Sequence, residues 1–118
     1  MQLKLSAHTV RGILVVSCEG RIVFGEESAE LRDTVRRLLQ DNPRIVLNLS
    51  GVNYIDSGGL GTLVALFTTA HSAGGSIKLC NLTQRVGDLL QVTKLVTVFE
   101  VYDTEDAAID SFIHGAAA

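Results

Sequence analysis

The chain has 118 residues, 47% of them hydrophobic but only 5% aromatic, with no tryptophan and a net charge of −3. That length predicts a single domain burying roughly two thirds of its unfolded surface, around an aliphatic core of Val, Leu and Ile. The negative balance excludes non-specific affinity for nucleic acid or an anionic membrane.

In MQLKLSAHTV, Leu3 and Leu5 alternate with polar neighbours, which predicts a half-buried strand and not the apolar block of a signal peptide. Arg11-Gly12 marks a turn, and the apolar run Ile13 to Cys18 is the partner strand of a hairpin. Glu19-Gly20-Arg21 breaks that run and leaves Ile22 to Phe24 as a short further strand or edge. Gly25 opens a helix through about Gln40, with Glu26 and Glu27 in its first turn and Arg36 and Arg37 in its last, each complementing the dipole. Leu31, Val35, Leu38 and Leu39 make one apolar stripe, while Glu30, Arg32, Asp33 and Arg37 make a solvated face. Asp41-Asn42-Pro43 ends the helix.

Arg44 to Leu49 reads as a strand with Ile45, Leu47 and Leu49 on one face and Val46 on the other, hence a central strand covered on both sides. A loop follows, then Asp56-Ser57 and a helix that stops at Gly74-Gly75. Ile77 to Cys80 is a short strand, and Thr83 is placed to cap a helix carrying Val86, Leu89 and Leu90. Val98 to Tyr102 is the last strand. Thr104 caps the last helix, with Glu105 and Asp106 in its first turn and Ile109, Phe112 and Ile113 inward. The alternation predicts an α/β fold: an N-terminal β-hairpin, then helices and strands forming a mixed, mostly parallel sheet of about four to five strands with about four helices. The whole chain, 1–118, is expected to be one domain, with a core over about 3–113 and a tail over 114–118, of which Gly115 to Ala118 is frayed.

Cys18 and Cys80 each lie in an apolar run, as small buried hydrophobes of a reduced, cytoplasmic compartment. Ser57 to Ile77 carries no formal charge over 21 residues, but five Gly, several Ser and Thr, and His71 leave it too polar to enter a bilayer. No His, Cys, Asp and Glu spacing points to a metal, and no cofactor is expected.

Projected at about 100° per residue, Leu60, Leu63, Val64, Phe67, Ala70 and His71 of this second helix fall on the side facing the sheet. Gly61, Thr62, Ala65, Thr68, Thr69, Ser72 and Ala73 fall opposite. That outer face is small and uncharged. It is either a second buried face, under another helix, or a flat partner surface that starts beside Ser57.

Asp56-Ser57-Gly58-Gly59 supports several readings. Asp56 or Ser57 can cap the helix, worth about 1 kcal/mol; if Asp56 does so alone, the Ser57 hydroxyl points outward. A nucleophilic Ser57 needs a base, yet His8, His71 and His114 stand in no recognisable relation to it and G-x-S-x-G is absent. Gly58-Gly59-Leu60-Gly61 resembles a phosphate-cradling loop without the Lys that completes one. Regulatory phosphorylation fits better: a phosphate on Ser57 adds about −1.5 to −2 charge at the positive end of a helix, which tolerates it. An apolar partner on the neighbouring face would have to desolvate that charge or leave.

The run LNLSGVNYIDSGGLGTLVALFTTAHSAGGSIKLCNL, with EGRIVFGEESAELRDTVRRLL upstream and the final strand and helix downstream, resembles the STAS domain of bacterial anti-sigma factor antagonists over nearly the whole chain. In that family a D-S-x-G-L motif starts a helix, and its serine is phosphorylated by a serine kinase that is also the anti-sigma factor. The resemblance implies Ser57 as phosphoacceptor, Asp56 as its helix-mouth neighbour, and Gly59 and Leu60 completing the motif. Gly58 stands where family members often have Ser, Ala or Thr, which removes a second acceptor and is expected to loosen the helix start. The helix mouth and the uncharged outer face together give the expected partner surface, over Asp56, Gly58, Gly59, Leu60, Gly61, Thr62, Ala65 and Thr69.

The resemblance also implies a mechanism. The unphosphorylated chain binds the anti-sigma factor and frees the sigma factor; phosphorylated on Ser57 it does not, and a serine phosphatase resets it. The kinase brings the ATP and magnesium chemistry, so this chain is expected to be no enzyme, with no nucleic-acid or membrane partner. Two other classes stay open: a STAS scaffold of a stress-signalling or transport assembly, with the free-standing length and absent span counting only against a transporter tail, and a small nucleotide-binding protein resting on the glycine run alone.

Overall fold

The computed structural model describes residues 3–114, so the expected frayed tail, Gly115 to Ala118, lies outside the described residues. The chain runs β1 (Lys4–Val10), β2 (Ile13–Ile22), α1 (Glu26–Asp41), β3 (Arg44–Ile55), α2 (Ser57–Ser72), β4 (Ser76–Cys80), α3 (Gln84–Val92), a 3₁₀ turn (Leu95–Thr97), β5 (Glu100–Tyr102) and α4 (Glu105–His114). The five strands form one sheet in the order β1-β2-β3-β4-β5. β1 pairs antiparallel with β2, and every other pair is parallel. The expected mixed sheet with its N-terminal hairpin is therefore found, and the hairpin has a local cause. Arg11 and Gly12 both take positive φ, 51° and 81°, as a two-residue turn needs to match the twist of its strands.

Successive parallel neighbours joined in one direction place their crossover helices on one face. Leu31 and Val35 of α1, Leu60, Leu63 and Leu66 of α2, and Val86 and Leu90 of α3 accordingly share one core with Ile45, Leu47 and Leu49 of β3. On the opposite face, Ala108 and Ile109 of α4 pack against Ile13, Val15, Val46 and Cys80. β3 is thus central and apolar on both sides, as its sequence suggests. Cys18 and Cys80 are buried free thiols. Burial pushes both up to about 12, which makes them poor nucleophiles at neutral pH.

Several boundaries move. Glu19-Gly20-Arg21 does not break β2, which continues to Ile22 by absorbing two register shifts, at Ser17/Glu19 and Gly20/Arg21. The segment expected as a loop after Leu49 is the second half of β3, paired with β2 as far as Ile55. β5 is shorter than expected because the 3₁₀ turn takes Leu95–Thr97 ahead of it. Arg36 and Arg37 sit before the last turn of α1, which holds no basic residue. His114 closes α4 instead of opening the tail.

Two threonines at helix starts behave differently. Thr104 accepts from Ala107 N at 3.1 Å, the expected cap of α4. Thr83 occupies the N-cap position of α3 without a side-chain capping bond; its hydroxyl donates to the Val52 carbonyl at 2.8 Å and ties α3 to β3. Lys78 is 7% exposed within β4. Its Nζ donates to Ser111 Oγ at 2.8 Å, lies 3.4 Å from Glu100 and stands 4.3 Å from the Phe112 ring centroid. A buried ammonium needs that surround.

Candidate functional site

Only Asp56 separates β3 from α2. Its Oδ1 accepts from Gly59 N at 2.8 Å, which caps the helix. The same carboxylate accepts from Phe24 N, with both oxygens at 3.1 Å, and Asp56 N donates to the Ile22 carbonyl at 3.3 Å. One side chain therefore caps α2 and clamps it to the segment between β2 and α1. The Gly59 bond first and the Phe24 bond next hold the Asp56 carboxyl below its ordinary value of 3.8, against a smaller opposing effect of desolvation.

The close approach explains the glycines. A Cβ on Gly59 would lie 2.0 Å from the Ile22 carbonyl oxygen, and one on Gly58 would lie 2.6 Å from Phe24 Cβ. Gly59 lets the first turn of α2 pass against the end of β2. Gly58 leaves room for Phe24, whose side chain stands 81% exposed. A glycine here does more than lower helix propensity: it seats an aromatic ring beside the helix mouth. Gly61 has open space around it.

Ser57 is the first residue of α2 and is exposed. Asp56 performs the capping, so the Ser57 hydroxyl is available. The helix behind it does not follow the projection in every residue. Leu60, Leu63, Leu66 and Ala70 are its buried residues along with Gly59, and His71, expected to face the sheet, is exposed. The buried arc is rotated from the projected one: Leu66 is buried, Val64 and Phe67 are half-buried, and His71 lies outside it.

Gly61, Ala65, Thr68 and Ser72 are exposed, and Thr62 and Thr69 are half-buried. Thr62 Oγ1 donates to the Gly58 carbonyl at 3.2 Å and Thr68 Oγ1 to the Val64 carbonyl at 3.1 Å. With those hydroxyls turned into the helix backbone, the outer face is more apolar than its composition suggests. Of the residues expected at the partner surface, Gly59 and Leu60 (6% exposed) point into the domain. Gly58, Gly61, Thr62 and Ala65 line a groove of about 450 Å³ with Phe24 and Arg32 of the neighbouring segment.

No histidine is placed to serve Ser57. His71 lies about 21 Å along the same helix, His8 stands exposed in β1, and His114 ends α4 across the sheet. Among the described residues no group of three or more His, Cys, Asp or Glu could hold a metal, and no helix is long and apolar enough to cross a membrane.

An exposed hydroxyl at the first turn of a helix, capped by its neighbour, sits within a domain that the STAS family profile matches over residues 4–108. The chain belongs to the STAS domain family. Among its relatives is the anti-sigma F factor antagonist of Paenibacillus polymyxa, 27% identical over 115 residues and covering 92% of this chain and 94% of the relative. The anti-sigma-B factor antagonist of Bacillus subtilis is 34% identical over 71 residues, 60% of this chain and 65% of the relative. In three dimensions the fold matches an anti-sigma factor antagonist from Mycobacterium paratuberculosis with a TM-score of 0.80 at 24% identity, covering 93% of each chain. SpoIIAA matches with a TM-score of 0.69 at 18% identity in both its unphosphorylated and phosphorylated structures, over 92% of this STAS chain and 97% and 99% of theirs.

Sequence reading missed Phe24, Arg21, Tyr54 and Arg85. The signal for Phe24 was present: one of only four phenylalanines stands directly before the glycine that opens α1. Arg21, Tyr54 and Arg85 are far apart in the chain, and only the parallel pairing of β2 with β3 brings the first two together.

Proposed function

We propose that this STAS domain is an anti-sigma factor antagonist, acting in the cytoplasm as a single-domain partner switch. Unphosphorylated, it binds an anti-sigma factor that is also a serine kinase, and the sigma factor goes free. The kinase phosphorylates Ser57, the antagonist is released, and a serine phosphatase restores it. This chain offers a hydroxyl and a surface; the phosphoryl-transfer chemistry belongs to its partners.

The observation that carries the reading is the division of labour at the start of α2. Asp56 caps the helix, which leaves Ser57 exposed beside the uncharged face of the same helix. A phosphate there meets the positive helix end without disturbing the core. The SpoIIAA fold is matched equally in both its phosphorylation states, which supports a switch by charge and not by refolding.

Pull-down with wild type, Ser57→Ala and Ser57→Asp, followed by mass spectrometry and a kinase assay on the recovered partner, tests this. Ser57→Ala is expected to hold an anti-sigma factor kinase constitutively and take up no phosphate, and Ser57→Asp to bind it more weakly. Phosphate uptake by Ser57→Ala at the wild-type rate would refute the assignment.

A further inference from the structure

Arg21 of β2 and Arg85 of α3 each stand within cation–π range of one aromatic ring, that of Tyr54. Their guanidinium carbons stand 5.8 and 5.5 Å from the Tyr54 ring centroid. Neither joins an ion pair among the described residues, and the buried Arg21 Nε has no hydrogen-bond partner. A guanidinium keeps its charge at any pH where the chain is folded, and buried donors are normally satisfied. A chain with 13 acidic residues thus leaves two cations at one tyrosine ring without an ion pair among the described residues. Asp88, one turn beyond Arg85, is not paired with it.

The place matters as much as the charge. Tyr54 lies directly opposite Arg21 in the β2–β3 ladder and precedes Ser57 by three residues, so the cations share the sheet edge that presents the phosphoacceptor. Beside Arg85 is a depression of about 380 Å³ lined by Tyr54, Ile55, Arg85, Asp88, Leu89 and Val92, so that one carboxylate of the chain itself stands at its edge without pairing with Arg85. Val92 is 80% exposed. Arg85, Leu89 and Val92 are spaced i, i+4 and i+7, one face of α3.

We propose that Arg21 and Arg85 receive a carboxylate side chain of the protein that docks at Ser57, while an apolar neighbour of that carboxylate seats against Leu89 and Val92. The inference rests on the reading that Ser57 lies in the docking edge. Planar guanidiniums held over a tyrosine face suit a carboxylate, which they bind through paired N–H donors. The chain's overall negative charge opposes a polyanion at this edge but not one carboxylate within an otherwise neutral contact. The arrangement also deepens the switch, because a phosphate on Ser57 adds negative charge at the edge the acidic side chain must approach.

The affinity of full-length wild type, Arg21→Gln, Arg85→Gln and the double variant for the kinase recovered with Ser57→Ala, at low and high salt, tests this together with thermal midpoints. Each single variant is expected to bind roughly ten-fold more weakly, the double variant to lose most of the salt dependence, and the midpoints to stay level or rise. Unchanged affinity overturns the inference while leaving the Ser57 reading intact. Weaker binding that tracks a falling midpoint also overturns it, since the arginines then act structurally. Saturable binding of inorganic phosphate to wild type, lost in the double variant with kinase affinity unchanged, overturns it in favour of a phosphorylated ligand. A wild type that forms no complex with any kinase overturns both readings.

Discussion

Helices α1 and α2 are each 16 residues long and cover the same face of the sheet, yet they meet solvent and the chain before them differently. α1 starts at Gly25, with φ of 111° and no side-chain cap. It is fixed instead by Ser28, whose hydroxyl donates to the Val23 carbonyl at 2.6 Å. Its outer side carries Glu30, Arg32, Asp33, Arg36 and Arg37, all exposed. α2 starts at a carboxylate bound to two separate N–H groups, and its outer side has no formal charge. Packing against the sheet is enough to hold a helix whose other face only meets water. The extra anchoring of α2 keeps one residue, Ser57, in a fixed position.

The sharpest way to break this contrast is to deny α2 its approach to β2. Gly59→Ala forces a Cβ to within 2.0 Å of a carbonyl oxygen, and neither backbone can yield without losing the clamp. We expect a loss of at least about 3 kcal/mol by urea denaturation. Gly61→Ala, in the same helix with open space around it, is expected to stabilise by about 0.5–1 kcal/mol, as in any exposed helix interior. If both alanines cost the same, the close approach is not what Gly59 serves.

Removing the anchor itself has a smaller effect. Asp56→Ala deletes the cap and the bond to Phe24 N, for an expected loss of about 2 kcal/mol. The carboxyl is held below 3.8 when folded, so its contribution is present above that pH and disappears as pH falls through the lowered folded value. The stability difference between wild type and Asp56→Asn, measured from pH 7 downward, should therefore stay level to about pH 4 and shrink below it. A difference that grows on acidification would mean the carboxylate is not stabilised by the fold.

Periodicity made most of the architecture readable. β3 shows alternating apolar residues on both faces, α1 shows its stripe, and a serine between a strand and a glycine-rich helix start is legible in the sequence itself. The boundaries moved where tertiary pairing outweighs local sequence: Gly20 and Gly51 look like breaks, but β2 and β3 pair through both, at the cost of register shifts. His71, expected to face the sheet, is exposed, and Leu66, to which the projection assigns no side, is buried, because a real helix sits on a twisted sheet and not on the flat face of a projection. The second role of Asp56 was beyond reach, since its partner Phe24 is 32 residues away. The approach of Arg21 and Arg85 to the Tyr54 ring was equally hidden, in two separate elements.

The smallest effect on stability tests the functional half of the contrast. Ala65→Glu puts a charge on the exposed middle of α2, and Asp33→Ala removes one from the exposed side of α1. Both positions are solvated, so both variants should unfold within about 0.5 kcal/mol of wild type. Binding of the anti-sigma factor kinase should separate them. Asp33→Ala is expected to bind as wild type does, because α1 carries a face made for water. Ala65→Glu is expected to bind at least about ten-fold more weakly, because a buried unpaired carboxylate opposes any apolar contact. Equal binding by the two would remove the uncharged face of α2 from the interface and leave only the mouth of the helix, around Ser57, as the surface under control.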